Sequence, residues 1–135
     1  MIAVSDNGPL GYLVQIGRIA LLPNLFDRIV IPSAVSWELS RRETPEAVRR
    51  WAMSLPEWAD VREPTAGTDR TRPGAGEREA ILIATELDAI LLCDDRQGVK
   101  HGRAAGLLVT GTLGVLVQAH VKNLIEIRYV SMIAE

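Results

Sequence analysis

Five carboxylates carry the chemistry this sequence can offer: Asp6 in "AVSDNG", Glu38 in "SAVSWEL", Glu79 in "GAGEREA", and the adjacent Asp94 and Asp95 in "LLCDDRQG". Each stands beside an apolar run, so folding carries it toward the edge of a core rather than into open solvent. Two carboxylates about 4 Å apart at an effective dielectric near 20 repel by on the order of 4 kcal/mol, and a divalent cation removes that repulsion. An all-oxygen ligand set suits magnesium or manganese, which keep several waters and bridge to substrate phosphates. Zinc is not indicated: the two histidines, His101 and His120, are isolated, and the single Cys93 ends an apolar run as a small buried side chain.

Each acid also has an ordinary reading. Asp6 sits in "DNGPL", a turn-and-cap sequence, and taken alone reads better as a helix cap. Glu38 has Arg41 and Arg42 three and four residues on, the spacing of an exposed helical ion pair. Glu77 and Glu79 both fall in the first turn of their helix, where the macrodipole favours carboxylates, and for Glu77 that explanation is preferred. Glu79 directly precedes the stripe Ala80, Ile83, Ala84 and Leu87, which aims it along the core edge.

The elements that must position these groups alternate. "MIAVS" and "RIVIP" read as strands, with helices broken around Gly17 and Pro23 between them. "SAVSWELSRR" reads as a helix capped by Ser33, and "TPEAVRRWAMSL" as one opening with Thr44 as cap and Pro45 at its first position. "AGTDRTRPGAG" is composed like a loop. The helix "GEREAILIATEL", the strand "AILLCD", a helix through "QGVKHGRAAG", the strand "LLVTG" and the helix "TLGVLVQAHVKN" follow, before the tail "LIEIRYVSMIAE". This order predicts a parallel sheet with helices on both faces, and ligands in such sheets sit beyond the carboxyl ends of the strands. Asp6, the Asp94–Asp95 pair, and Thr110 with Thr112 occupy strand ends. Each threonine reads first as a helix cap, and beyond that as a hydroxyl able to hold a metal-held water or a ligand carboxylate.

The 135 residues suffice for one domain, spanning 1–135. With 47% hydrophobic residues the chain is not disordered, and no apolar run reaches membrane-span length. The N-terminus lacks the pattern of a signal peptide, so a soluble cytoplasmic protein is expected. Formal net charge is -2. Binding of polyanions by bulk charge is therefore not expected, although arginine clusters suited to phosphate keep a nucleic-acid partner open. With three Trp, two Tyr and one Phe, base-stacking platforms are not indicated. At least two of Trp37, Trp51 and Trp58 are expected in the core.

"AVSDNGPLGYLVQIGRIALLPNLFDRIVIPSAVSWEL", "GAGEREAILIATEL", "LLCDDRQGVKHGRAAGL" and "VTGTLGVLVQAHVKNLI" together resemble the PIN-domain superfamily. The likeness is to its branch of small prokaryotic PIN-like proteins of unknown function, described as predicted nucleic-acid-binding proteins, and it runs in order from about Ile2 to Ile125. The resemblance implies an α/β fold, a PIN-like three-layer sandwich with a central parallel sheet flanked by helices. It further implies an acidic pocket that binds Mg2+ or Mn2+ and hydrolyses RNA phosphodiester bonds. By position, Asp6, Glu38, Glu79 and one or both of Asp94 and Asp95 are its metal-binding and catalytic acids. Arg96 and Lys100 are candidate substrate-binding residues, and Thr110 and Thr112 candidate supports for the ligands. Related sequences commonly carry a serine where this chain has Gly8, which removes a supporting hydrogen bond. RNA, an antitoxin protein of a toxin–antitoxin pair, and a second copy forming a homodimer are the implied partners. The tail after "LIEIRYV" is shorter than expected, so its last pairing is expected to be short or supplied by a partner.

Two other designs share parts of this pattern. A receiver-type phosphoacceptor domain shares the acidic magnesium pocket, the strand-end threonine and a lysine such as Lys122, but its acidic pair follows the first strand, whereas here it comes late. A PIN scaffold used for nucleic-acid or protein binding with little catalysis is the stronger alternative, and it predicts carboxylates salt-bridged to arginines.

Overall fold

The computed structural model describes residues 1–125. Expectations for the tail beyond Ile125 lie outside the described residues. Five parallel strands are arranged in the order β3-β2-β1-β4-β5. Strand β1 (Ile2–Ser5) leads into helix α1 (Asn7–Gln15), and a short 3-10 turn at Ile19–Leu21 and α2 (Leu22–Leu25) follow. Next come β2 (Arg28–Pro32), α3 (Ser33–Leu39), α4 (Glu46–Met53) and β3 (Ala59–Arg62). The second half contains α5 (Ala75–Leu87), β4 (Ile90–Leu92), α6 (Arg96–Ala104), β5 (Val109–Thr110) and α7 (Thr112–Val121).

β1 is the central strand. It pairs with β2 through Val4 and Val30, and with β4 through Val4 and Leu91. Alternation along the strands then builds two cores. Ala3, Ile29, Ile31 and Leu92 face Leu10, Leu13, Val35, Val48 and Leu116. On the other side, Val4, Val30, Leu91 and Cys93 face Ala80, Ile83 and Ala84 of α5. A side-chain period of two divides each strand between the two layers, which produces the expected three-layer sandwich. Helix α6 lies close against β4 because it presents glycine at Gly98 and Gly102. A Cβ on Gly102 would stand 2.7 Å from Leu91 Cδ2, and one on Gly98 would stand 2.5 Å from Cys93 Sγ.

Three local details differ from the sequence expectations. Strand β3 was not anticipated, because "ADVR" is short, carries no alternating pattern, and has only Ala59 buried at the sheet's edge. Ser33 is the first residue of α3 rather than its cap, with Pro32 in the cap position and the Ser33 hydroxyl donated to Glu79. Thr44 likewise does not cap α4: Pro45 holds that position, and Thr44 Oγ1 donates to the Glu38 carbonyl. Gly17, with φ at 71°, ends α1 as expected, whereas Pro23 is accommodated in the first turn of α2. Among the described residues, no helix is long and apolar enough to cross a membrane.

Candidate functional site

Parallel strands place their carboxyl ends along one edge of the sheet, and the expected acids gather there. Asp6 follows β1 directly and caps α1: its Oδ1 accepts from the Asn7 amide at 2.8 Å. Its Oδ2 lies 3.8 Å from the Cys93 thiol. The group is buried, and burial pushes its pKa above the ordinary carboxylate value, with Glu77 and Asp95 adding like-charge repulsion against the Asn7 amide and the Cys93 thiol. Glu38, on α3, is half-buried. Its pKa is also raised, first by burial and then by Asp6 and Glu79, while the Gly76 amide opposes the shift. The Asn7 side-chain amide donates to Glu38 Oε2 at 3.0 Å and so ties the first two acids together.

The Asp94–Asp95 pair divides. Asp94 turns toward α7, where its Oδ1 accepts the Thr112 amide at 2.6 Å and its Oδ2 accepts the Thr112 hydroxyl at 2.5 Å. Asp95 caps α6 by accepting the Gly98 amide at 3.0 Å, and its charge acts on both Asp6 and Cys93. Burial and the neighbouring Asp6 push the Cys93 thiol up to about 12, which makes it inert, as its place in the sequence suggests. Thr112 thus supports an acid, as expected. Thr110 does not join it: its hydroxyl lies against Gly114 of α7.

Glu79 is directed elsewhere. Only 3% exposed, it accepts the Ser33 hydroxyl and the Ala34 amide on Oε1, at 2.9 and 3.0 Å, and the Thr68 hydroxyl on Oε2. Both oxygens therefore serve the start of α3 and the loop before α5. Glu77 is the acid of this helix that acts on Asp6, and its Oε1 meets His101 Nδ1 at 2.6 Å. Glu77 therefore does more than favour the helix dipole, the role its first-turn position suggests. A signal was available: Glu77 stands three and seven residues before Ala80 and Ala84, both fully buried, so it begins the inward face of α5. Arg96 and Lys100 are exposed on α6, just beyond Asp95.

Among the described residues, no lysine or arginine forms an ion pair with Asp6, Glu38, Asp94 or Asp95. Arginine pairs lie elsewhere, between Arg28 and Asp60, Arg41 and Glu43, and Arg50 and Glu46. The expected Glu38 pairing with Arg41 or Arg42 is absent there. Asp6 is buried and Glu38 half-buried, while Asp94 and Asp95 are exposed, and like charges gathered without a lysine or arginine partner suit a hard divalent cation. No three or more His, Cys, Asp or Glu among the described residues are grouped to hold a metal ion by themselves. Magnesium does not require such a group, because one or two carboxylates with waters and substrate phosphate suffice to hold it.

A family model described as a PIN domain matches residues 2–133. Among solved structures, the chain is similar to a PilT N-terminus domain protein from the hyperthermophilic archaeon Sulfolobus solfataricus P2. That similarity has a TM-score of 0.59 and 17% identity, and covers 88% of this chain and 93% of the other. No curated protein matches.

Proposed function

The chain belongs to the PIN-domain family, whose members are generally nucleases, and from that premise we propose that it is a metal-dependent ribonuclease. The observation that carries this reading is a buried Asp6 and a half-buried Glu38 at the carboxyl edge of the sheet, neither paired with a lysine or arginine among the described residues. Both are raised in pKa first by burial and then by like charge, from Glu77 and Asp95 on Asp6 and from Asp6 and Glu79 on Glu38. We assign Asp6 and Glu38 to hold the cation and Glu77 and Asp95 to face it through its waters, with Asp94 and Glu79 holding the frame through Thr112 and the α3 start.

When bound, Mg2+ or Mn2+ supplies activation of the attacking water and neutralisation of charge at the phosphate. The protein's own groups do the rest. Asn7 orients Glu38, the Asn7 amide fixes Asp6, and the Gly98 amide fixes Asp95. In the reaction, a water oxygen bonds to phosphorus while the phosphorus bond to the leaving ribose oxygen breaks. The water's proton passes to solvent or a carboxylate, and the leaving oxygen takes up a proton. Arg96 and Lys100, exposed beside Asp95, are assigned to the flanking phosphates.

The test is manganese-dependent cleavage of mixed single-stranded RNAs by the wild type, Asp6→Asn and Asp95→Asn. Cleavage by the wild type alone supports the assignment, and equal cleavage by all three defeats it. Binding without catalysis is the second reading, favoured by the absence of a three-acid metal grip among the described residues. RNA binding with no turnover at saturating manganese supports it. The proposal extends to a toxin held by an antitoxin protein, and to a homodimer. Growth arrest on expression of the wild type but not of Asp6→Asn supports the toxin role; unimpaired growth removes it. Sedimentation velocity decides the dimer.

A further inference from the structure

Trp37 stands apart from the other two tryptophans. Trp51 and Trp58 pack against the core, with ring centroids 6.1 Å apart. Trp37 is half-buried on α3, beside Glu38, and the Arg41 guanidinium lies over its ring at 4.4 Å from the centroid. Two open hollows of about 420 and 460 Å³ share Trp37 and Ser40 in their walls. One also reaches Ser33, Arg62 and Arg70, and the other reaches Arg41 and Arg42. Ser33 is the residue that bonds Glu79, and Arg62 ends β3 opposite Pro32, so this trough continues sideways from the acidic edge of the sheet.

Its chemistry differs from that of the acids. Among the described residues, Arg42, Arg62 and Arg70 form no ion pair, while Glu43 is engaged by Arg41. An aromatic ring backed by a guanidinium and flanked by unpaired arginines combines a stacking surface with phosphate contacts. A base reaches such a ring only when it is unstacked from its neighbours, as in a single strand; a duplex keeps its bases inside. We propose that this trough is the track for single-stranded RNA, with one base stacked on Trp37 and its neighbouring phosphates on Arg42, Arg62 and Arg70. The inference rests on the ribonuclease reading for the direction of the strand toward Glu38, and it runs against the expectation, drawn from the few aromatic residues, that base-stacking platforms are not indicated.

The tryptophan distribution provides a readout independent of cleavage. A twelve-nucleotide single-stranded oligouridylate is titrated into the protein in EDTA, with tryptophan fluorescence and anisotropy of a labelled strand as signals. We expect quenching by the single strand and weak binding of a duplex hairpin. The salt dependence should have a log–log slope of about -2 for three phosphate contacts. Trp37→Leu should weaken binding by about tenfold and remove the quench, while Trp37→Phe retains most of the affinity. Arg62→Ala with Arg70→Ala should weaken binding and flatten the salt slope, and a melting curve for each variant confirms that it is folded.

Equal affinity in the wild type and folded Trp37→Leu overturns the proposal. So does hairpin binding as tight as the single strand, or no oligonucleotide binding at all. Strand binding through Trp37 with no manganese-dependent cleavage defeats the nuclease reading and leaves the track standing. Cleavage with strand affinity unchanged in Trp37→Leu does the reverse.

Discussion

Asp94 accepts two bonds from Thr112, its amide at 2.6 Å and its hydroxyl at 2.5 Å, and thereby fastens the end of β4 to the start of α7. This relationship separates the roles of two adjacent aspartates. Asp94→Ala is expected to cost about 1–2 kcal/mol of stability, as the loss of a helix-terminal acceptor does. Manganese affinity should change only a few-fold. Asp95→Asn preserves the α6 cap, because Asn caps as well as Asp, yet should lower manganese affinity at least tenfold. Chemical denaturation and isothermal titration check the pair, and an exchange of the two outcomes would show that Asp94 is the metal-facing residue.

Glu79 and Glu77 provide a second contrast. Glu79→Ala leaves the buried Ser33 hydroxyl and Ala34 amide without an acceptor, and about 1–3 kcal/mol of stability should be lost. Glu77→Gln should melt close to the wild type while weakening manganese binding. A Glu79→Gln variant with normal stability but no metal binding would return Glu79 to the ligand set.

The raised pKa values of Asp6 and Glu38 set a pH dependence with a definite sign. Between the ordinary carboxylate range and these raised values the folded protein holds more protons than the unfolded chain. Stability of the metal-free protein therefore falls as pH rises through that window, and is restored on acidification. Asp6→Asn should melt higher than the wild type in EDTA at neutral pH, and the advantage should vanish in acid. Manganese competes with those same protons, so its apparent affinity should rise with pH. Thermal melts in EDTA across this range, and metal titrations at two pH values, measure both trends.

Gly8 occupies the first turn of α1, and a Cβ there would stand 3.4 Å from Asp94 Oδ2, an ordinary contact. Gly8→Ser therefore fits and places a hydroxyl near that carboxylate. Removing a helical glycine should add about 0.5–1 kcal/mol. A gain in melting temperature that Gly8→Ala reproduces only in part would report the added hydrogen bond.

Much of this architecture was legible because its signals are local. "RIVIP" gives β2 with its observed ends, and the carboxyl-end rule places Asp6 and the Asp94–Asp95 pair along the correct edge. β3 escaped because an edge strand with one buried residue carries no periodic pattern. The division of labour between Glu77 and Glu79 escaped for a different reason. Two residues apart on a helix, both border the apolar face. Which one meets the sheet edge depends on where α5 lies against α3, a tertiary fact expressed in the Ser33 and Ala34 bonds. A count of aromatic residues carries no information on where a single ring such as Trp37 is placed.

The position of β1 between β2 and β4 has a consequence during synthesis. Asp6 is made among the first residues, yet its strand gains its second neighbour only when Ile90–Leu92 has emerged, and Asp95 follows that segment. A nascent chain halted before this point carries Asp6 and Glu38 on a sheet with one open side. The acidic edge is therefore finished only by the second half of the chain, and a truncation before residue 90 removes the second neighbour of β1 and Asp95 together.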